Sequence, residues 1–317
     1  LGDFASLDVQ NTYRGSDAYV CGAIPTLLIL VTICFFMMRL APGGPFDGER
    51  ALPPQVKENL LKAYHLNEPF YKQYFIYLNN LAHGELGPSY KYRDWTVNQL
   101  VAKGFPVSLK LGLWAMFWAV LFGIILGSIA ALRQNSWIDY LVMSFSMFGI
   151  SIPNFVVAPV MVLIFAISLK WLPAGTWGEG HFSHLLLPVI ALAIPQLAII
   201  ARIMRGSMIE VLSSNFIRTA KSKGLSSFTI VTRHALKPAL MPVISYLGPA
   251  MAAVITGSVV VEQIFGLPGI GTLLVQAATN RDYTTVLGLT ILFGAMIVFF
   301  NFLVDILYAF LDPKIRY

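Results

Sequence analysis

Charge is scarce in this sequence. Aspartate, glutamate, lysine and arginine make up 12% of the 317 residues, about half the share of an ordinary soluble domain. That excludes a soluble fold with an ordinary solvated surface. Cysteine is almost absent: only Cys21 and Cys34 occur, the second inside an apolar run, so neither a zinc site nor a disulfide framework fits. No G-x-x-x-x-G-K-[ST] loop is present to cradle a phosphate, and neither H-E-x-x-H nor G-x-S-x-G occurs. His65, His83, His181, His184 and His234 fall in loops or at the ends of apolar runs without metal-ligand spacing, so they read as surface or interfacial residues. Intramembrane hydrolysis therefore has no visible machinery. The net charge of +6 is not gathered on a soluble face, which argues against nucleic acid as a partner.

Hydrophobic length is what the sequence has instead: 56% of the residues are hydrophobic. Six regions reach the roughly twenty apolar residues that a membrane crossing needs, at about Cys21–Leu40, Phe105–Leu132, Tyr140–Leu169, Leu185–Met204, Met241–Val261 and Val286–Leu311. Backbone in lipid must bond within itself, and no ten-residue alternation suggests a barrel, so all six read as helices. The expected fold is an all-α polytopic membrane protein of six transmembrane helices, with residues 21–317 forming one domain.

Lysine and arginine set the orientation. Between Arg202 and Lys237 lie seven such residues against one acid, Glu210. Arg133 follows the second span, and Lys314 and Arg316 follow the sixth. Helix parity puts all three regions on one side, which is expected to be cytoplasmic along with both chain ends. Segment 41–104 then lies outside. Its stretch Pro53–Gly87 carries Leu60, Leu61, Tyr64, Tyr74, Tyr77, Leu78 and Leu81 at helical spacing, and predicts short amphipathic helices behind a proline start. These helices serve either as a lid over the bundle or as a docking surface. Segment 1–20 is atypical: Asp3, Asp8 and Asp17 outweigh Arg14, which suits neither a cytoplasmic flank nor a signal peptide.

Two features inside this frame point to function. The spans carry polar and helix-breaking residues, among them Asn154, Gln196, Ser245, Thr256, Ser258 and Asn301. Such groups usually face the bundle interior, either lining a polar path or bonding neighbouring helices. Gly123, Gly127 and Ala131 form a small-residue face that reads as packing. The second feature is the run Phe216–Ile244, where Arg218, Lys221, Lys223, Arg233, His234 and Lys237 crowd together without an acid. Ser207–Ser222 suits a helix continuing from span four, Gly224 is a break, and Ser226–Ala235 suits a second short helix before Pro238. A basic topogenic loop needs charge alone. Here Leu225, Phe228, Ile230, Val231, Ala235 and Leu236 interleave with the charge, as on a surface that docks a partner.

At these residues the chain resembles the membrane subunits of ABC importers, in the peptide permease branch, and is similar there to the B-type subunits of oligopeptide transporters. That family carries the motif E-A-A-x-x-x-G between two late spans. Arg218, Thr219, Ala220, Lys221, Ser222, Lys223 and Gly224 occupy its frame, with Arg and Thr in place of Glu and the first Ala. "AIPTLL" (Ala23–Leu28), "GELGPSY" (Gly84–Tyr90), "FGLPGIG" (Phe265–Gly271), "NRDY" (Asn280–Tyr283) and "DPKIRY" (Asp312–Tyr317) also match the branch, in order, from about Ala23 to the end.

The resemblance implies a type I importer fold in the bacterial inner membrane. It implies a second homologous permease subunit, two ATPase subunits, a periplasmic peptide-binding protein and a peptide substrate, with surrounding membrane lipid. ATP and magnesium would sit on the ATPases, with no cofactor on this chain and no catalytic residue. The loop within residues 206–240, with Arg218, Thr219, Ala220, Lys221, Lys223, Gly224, Leu225, Ser226, Phe228, Arg233 and His234, would be the coupling element. A dipeptide or nickel permease subunit is the alternative within the family. A proton-coupled carrier would need a relay at mid-membrane, whereas Glu262 and Asp305 both lie near span ends. A membrane scaffold without transport is the remaining rival.

Overall fold

The computed structural model describes residues 22–40, 54–92 and 94–311. The expectations for segment 1–20, for Pro53 and for Asp312–Tyr317, including Lys314 and Arg316, lie outside those residues. The chain runs through α1 (Gly22–Leu40), α2 (Pro54–Ala63), α3 (Phe70–Ala82), α4 (Val97–Leu132), α5 (Trp137–Ser151), α6 (Asn154–Met161), α7 (Phe182–Ser213), α8 (Asn215–Ser222), α9 (Ser227–Thr229), α10 (Leu236–Gly257), α11 (Val259–Phe265), α12 (Ile270–Thr279) and α13 (Tyr283–Leu311). Wider π turns extend α6 over Val162–Ser168 and join α9 to α10 over Ile230–Ala235. Among the described residues five helical stretches are long and apolar enough to cross a membrane, and the bent α5–α6 pair, taken as one span, brings the number to six.

Several boundaries differ from the sequence reading, each for a local reason. The second span starts at Val97 rather than Phe105, because Thr96 and Gln99 form a reciprocal capping box. Its 36 residues reach about 54 Å, well beyond the ~30 Å hydrocarbon layer. The third span is not one helix. It bends by 102° between Ser151 and Asn154, where Pro153 withholds a backbone donor and forces Ile152 to extended geometry (ψ 117°). The extension of span four is interrupted at Ser214, whose ψ of 156° ends α7 before α8 begins.

The expected short helix Ser226–Ala235 does not stand alone either. It runs into α10, so that Ser227–Phe265 forms one long helical stretch. Pro238 would clash with the carbonyl of His234 in a regular α-helix, and the π turn just before it widens the path instead of ending it. Span five breaks once more at Ser258, between α10 and α11.

The packing centre is the α4–α7 pair. A Cβ on Gly127 would stand 2.5 Å from the Ala201 carbonyl oxygen, and one on Gly123 would stand 2.7 Å from Ile200. The small-residue face therefore lets two long helices meet backbone to backbone. Leu111, Ala119, Ile200, Met204 and Met208 fill the surrounding core. A smaller cluster ties α1 to α3 and α13 through Val31, Phe35, Tyr77, Leu287 and Ile291, with the Thr32 and Tyr74 hydroxyls 2.6 Å apart. The amphipathic helices predicted between the first two spans are α2 and α3.

Candidate functional site

The basic motif residues run through one corner of the chain: Arg218, Lys221 and Lys223 on α8 and its turn, Arg233 and His234 on the π turn after α9, and Lys237 at the start of α10. Ile217 and Ala220 are buried and anchor α8 on the bundle. Its other side leaves Arg218, Thr219, Lys221 and Ser222 exposed. The helix ends in a Schellman turn: Leu225 N–H donates to the Ala220 carbonyl (3.3 Å) and Gly224 N–H to the Lys221 carbonyl (3.0 Å). Gly224 has φ +76°, a left-handed conformation that a side chain would strain. Ser226 then caps α9, its Oγ accepting from Thr229 N–H (3.3 Å), while Ile230 and Ala235 are buried.

Two buried pairs, one on each side of the turn, thus hold a rigid corner. Its free surface carries Phe216, Leu225 and Phe228 beside Arg218, Lys221, Lys223, Arg233 and His234. Phe228 is 78% exposed. A large exposed aromatic ring on a corner whose other exposed residues include five basic side chains has the composition of a docking surface more than of a solvated loop. Sequence reasoning found these residues. The break read at Gly224 is where α8 ends, whereas the reading missed that the second element is the root of span five.

Helix α7, which leads into the corner, is tied to α5. Arg205 on α7 donates from Nε (2.5 Å) and Nη2 (2.7 Å) to the two carboxylate oxygens of Asp139, and Asn135 N–H adds a third bond at 2.9 Å. Asp139 is buried, and a bidentate, charge-assisted pair of this kind fixes both position and angle.

At the opposite end of the bundle are two buried carboxylates that sequence reasoning did not assign. Glu262 on α11 is 0% exposed. Ser108 Oγ on α4 donates to its Oε1 (2.6 Å), Ser258 Oγ donates to the same oxygen, and Thr272 N–H donates to Oε2 (3.0 Å). Ser108 Oγ also accepts from Ile270 N–H at 2.9 Å. The loop can come this close because it has no side chain at the contact: a Cβ on Gly269 would stand 2.3 Å from Glu262 Oε2.

Asp282 is the second. It receives Ser89 Oγ, Thr285 Oγ1 (2.8 Å), Thr284 Oγ1 (3.0 Å) and the backbone N–H groups of Tyr90 (3.0 Å) and Thr285 (3.3 Å). The "FGLPGIG" and "NRDY" stretches thus flank α12, and each is fastened to a segment early in the chain. The available signal was an acid closing each apolar run beside closely spaced Gly, Ser or Thr residues.

The six polar span residues are dispersed. Gln196 accepts a 2.6 Å bond from the Tyr246 hydroxyl, joining α7 to α10. Ser245 is exposed, and its hydroxyl, like that of Thr256, bonds back to its own helix. Asn301 stands against Gly248 on α10, and Asn154 keeps a buried Oδ1 without a partner. Ser258 is wholly buried, with its hydroxyl donating to Glu262. Asp305 Oδ2 is buried without a partner, and among the described residues no arginine pairs with it. Among the described residues no three His, Cys, Asp or Glu side chains gather as metal ligands.

Comparison with known proteins places this architecture. Residues 123–317 match the family described as the binding-protein-dependent transport system inner membrane component. The chain is 62% identical over 295 residues to the oligopeptide transport system permease protein OppB of Haemophilus influenzae, covering 93% of this chain and 96% of that protein. OppB of Salmonella typhimurium gives the same identity and coverage. The dipeptide transport system permease protein DppB of Bacillus subtilis is 45% identical over 291 residues, covering 92% and 94%. Among solved structures, a chain of the inward-facing MetNI methionine ABC transporter superposes with a TM-score of 0.55 at 16% identity, over 68% of this chain and 97% of that one; the likeness supports the type I importer permease fold alone. These matches show the family: the chain belongs to the inner membrane permease components of binding-protein-dependent ABC transport systems.

Proposed function

We propose that this chain is a membrane-spanning subunit of an ATP-driven oligopeptide importer. The observation that carries the reading is the 62% identity over 295 residues to OppB, against 45% to the dipeptide permease DppB. In this reading a second, homologous permease completes the translocation path. Two ATPase subunits supply ATP and magnesium chemistry that this chain lacks, and a periplasmic binding protein delivers the peptide. The α8–α9 corner lies on the cytoplasmic side by its excess of lysine and arginine, as do both chain ends.

The corner is the coupling element. Phe216, Leu225 and Phe228 anchor it in an ATPase cleft, and Arg218, Lys221, Lys223, Arg233 and His234 complement acidic groups around that cleft. When the ATPases close on ATP, force on the corner passes into the long Ser227–Phe265 stretch directly and into α7 through α8. Asn154, Gln196, Ser245, Thr256 and Asn301 are the residues of this chain proposed for the peptide path. The test is reconstitution of the complete transporter in vesicles. Peptides longer than two residues, presented by the binding protein, are expected to stimulate ATP hydrolysis and to accumulate inside. Uptake driven by a proton gradient without ATP contradicts the reading, and a preference for dipeptides moves the chain to the other branch.

A further inference from the structure

A cavity of about 130 Å³ lies where α1 meets α3, beside the 87–90 loop and the start of α13. It lies away from the coupling corner and borders the Asp282 cluster, with which it shares Tyr90 and Thr284. Gln73 and Tyr77 line it, one turn apart on one face of α3. Both are buried, at 5% and 8% exposure. The Gln73 amide nitrogen donates to the carbonyls of Leu66 (3.2 Å) and Glu68 (2.7 Å), which fixes the orientation of the amide. Its Oε1 has no partner, and neither has the Tyr77 hydroxyl. Burial pushes the Tyr77 phenol up, so it stays protonated near neutrality. Gln73 Oε1 can only accept, and the protonated Tyr77 hydroxyl can accept and also donate, so the cavity suits an occupant that donates to the amide oxygen and carries an acceptor beside the donor.

The rest of the lining restricts that occupant. Arg39, in the last turn of α1, also lines the cavity, with its guanidinium 5.3 Å from the centre of the Phe35 ring and hydrogen-bonded to the Tyr90 hydroxyl, which leaves further N–H donors for a ligand. A ligand that donates to Gln73 and Tyr77 and also meets Arg39 needs an N–H donor and an anionic group a few bonds apart. The position indicates where it comes from. Phe36, Met37 and Leu40 leave the end of α1 apolar and exposed, and α3 exposes Phe70, Tyr71 and Phe75. Tyr71 is of the type that sits at the headgroup level of a bilayer, and the exposed phenylalanines and Leu40 beside it suit the adjoining acyl region.

We propose that the cavity binds the headgroup of an ethanolamine phospholipid, with its ammonium on Gln73 Oε1 and the Tyr77 hydroxyl and its phosphate on Arg39. The aromatic lining favours the ammonium further. A choline headgroup has no N–H to donate, and a glycerol headgroup has no cation. Bound lipid then fastens α3 to the end of α1 and makes the connection between the first two spans part of the bundle.

The test uses the complete transporter, purified from vesicles of equal ethanolamine, choline and glycerol phospholipids and analysed for retained lipid by native mass spectrometry. Selective retention of the ethanolamine lipid is expected, falling at least about tenfold in the Gln73→Leu/Tyr77→Phe variant, since a charged hydrogen bond contributes about 1.5–3 kcal/mol. Arg39→Gln is expected to weaken retention while keeping the preference for ethanolamine over choline. Because Tyr77→Phe removes only a hydroxyl that bonds nothing in the chain, it is expected to fold normally. Competition among the lipids on the unaltered protein gives a second readout free of substitutions. Equal retention of choline lipid, or none of any, overturns the proposal in favour of bound water. Displacement of the lipid by a peptide with a free N-terminus overturns it in favour of a peptide site.

Discussion

Ser108 on α4 and Glu262 on α11 lie 154 residues apart in sequence and 2.6 Å apart in space, hydroxyl to carboxylate, with Glu262 wholly enclosed. That bond, with those from Ser258 and Thr272, fixes the loop leading into α12. Asp282 fixes the segment that follows α12. The helix is therefore held at both ends by buried carboxylates that accept only from hydroxyl and amide groups.

Removing Glu262 tests this arrangement. Glu262→Ala strands two buried hydroxyls and one backbone N–H, and an unmet buried group costs about 1–3 kcal/mol. The substitution is expected to lower the unfolding temperature of the purified transporter by several degrees and to expose the loop 266–272 to proteolysis. Glu262→Gln, which retains acceptor capacity, is expected to lose less than half as much. Equal loss in both variants assigns the role to charge instead of to hydrogen bonding.

The second clamp is suited to a double-mutant cycle. Ser89→Ala and Asp282→Asn each remove part of one network, so their effects on thermal stability are expected to sum to more than that of the double variant, with a coupling of about 0.5–3 kcal/mol. Strict additivity contradicts the contact.

These clamps mark the limit of what was legible in the sequence. Six crossings could be read because apolar length is a local signal, and the basic corner because its charges and apolar residues lie close together in sequence. Which acid meets which serine depends on how α4 and α11 cross, and nothing near Ser108 in the sequence names Glu262. The bend at Pro153 and the continuity through Pro238 were ambiguous for the opposite reason. Both prolines are plain in the sequence, but only packing decides whether the backbone breaks or widens into a π turn.

The Asp139–Arg205 pair braces α7 above the corner. Arg205→Ala leaves a buried carboxylate without its cation, at an expected cost of about 3–5 kcal/mol, and is expected to reduce the yield of assembled transporter severely. Asp139→Asn together with Arg205→Gln removes both charges and is expected to recover much of that loss. A double variant as unstable as Arg205→Ala alone contradicts the account.

Gly127 tests the helix contact at the centre of the core. A Cβ there would stand 2.5 Å from the Ala201 carbonyl, so Gly127→Val is expected to abolish accumulation of the folded chain in the membrane. Ile125→Val, on the exposed side of the same helix, is expected to leave it unchanged. Normal accumulation of the Gly127→Val chain would contradict the close α4–α7 approach.

The central claim is that the exposed corner carries energy from partner ATPases into the bundle, and Phe228→Asp tests it most directly. The ring is 78% exposed, so the substitution leaves the fold of this chain intact. In vesicles containing the complete transporter, ATP hydrolysis stimulated by binding protein and oligopeptide is expected to fall at least about tenfold, as when an aromatic anchor is lost from an interface, with this chain still paired to the second permease. Full peptide-stimulated hydrolysis and transport by that variant would contradict the assignment of the corner as the coupling element.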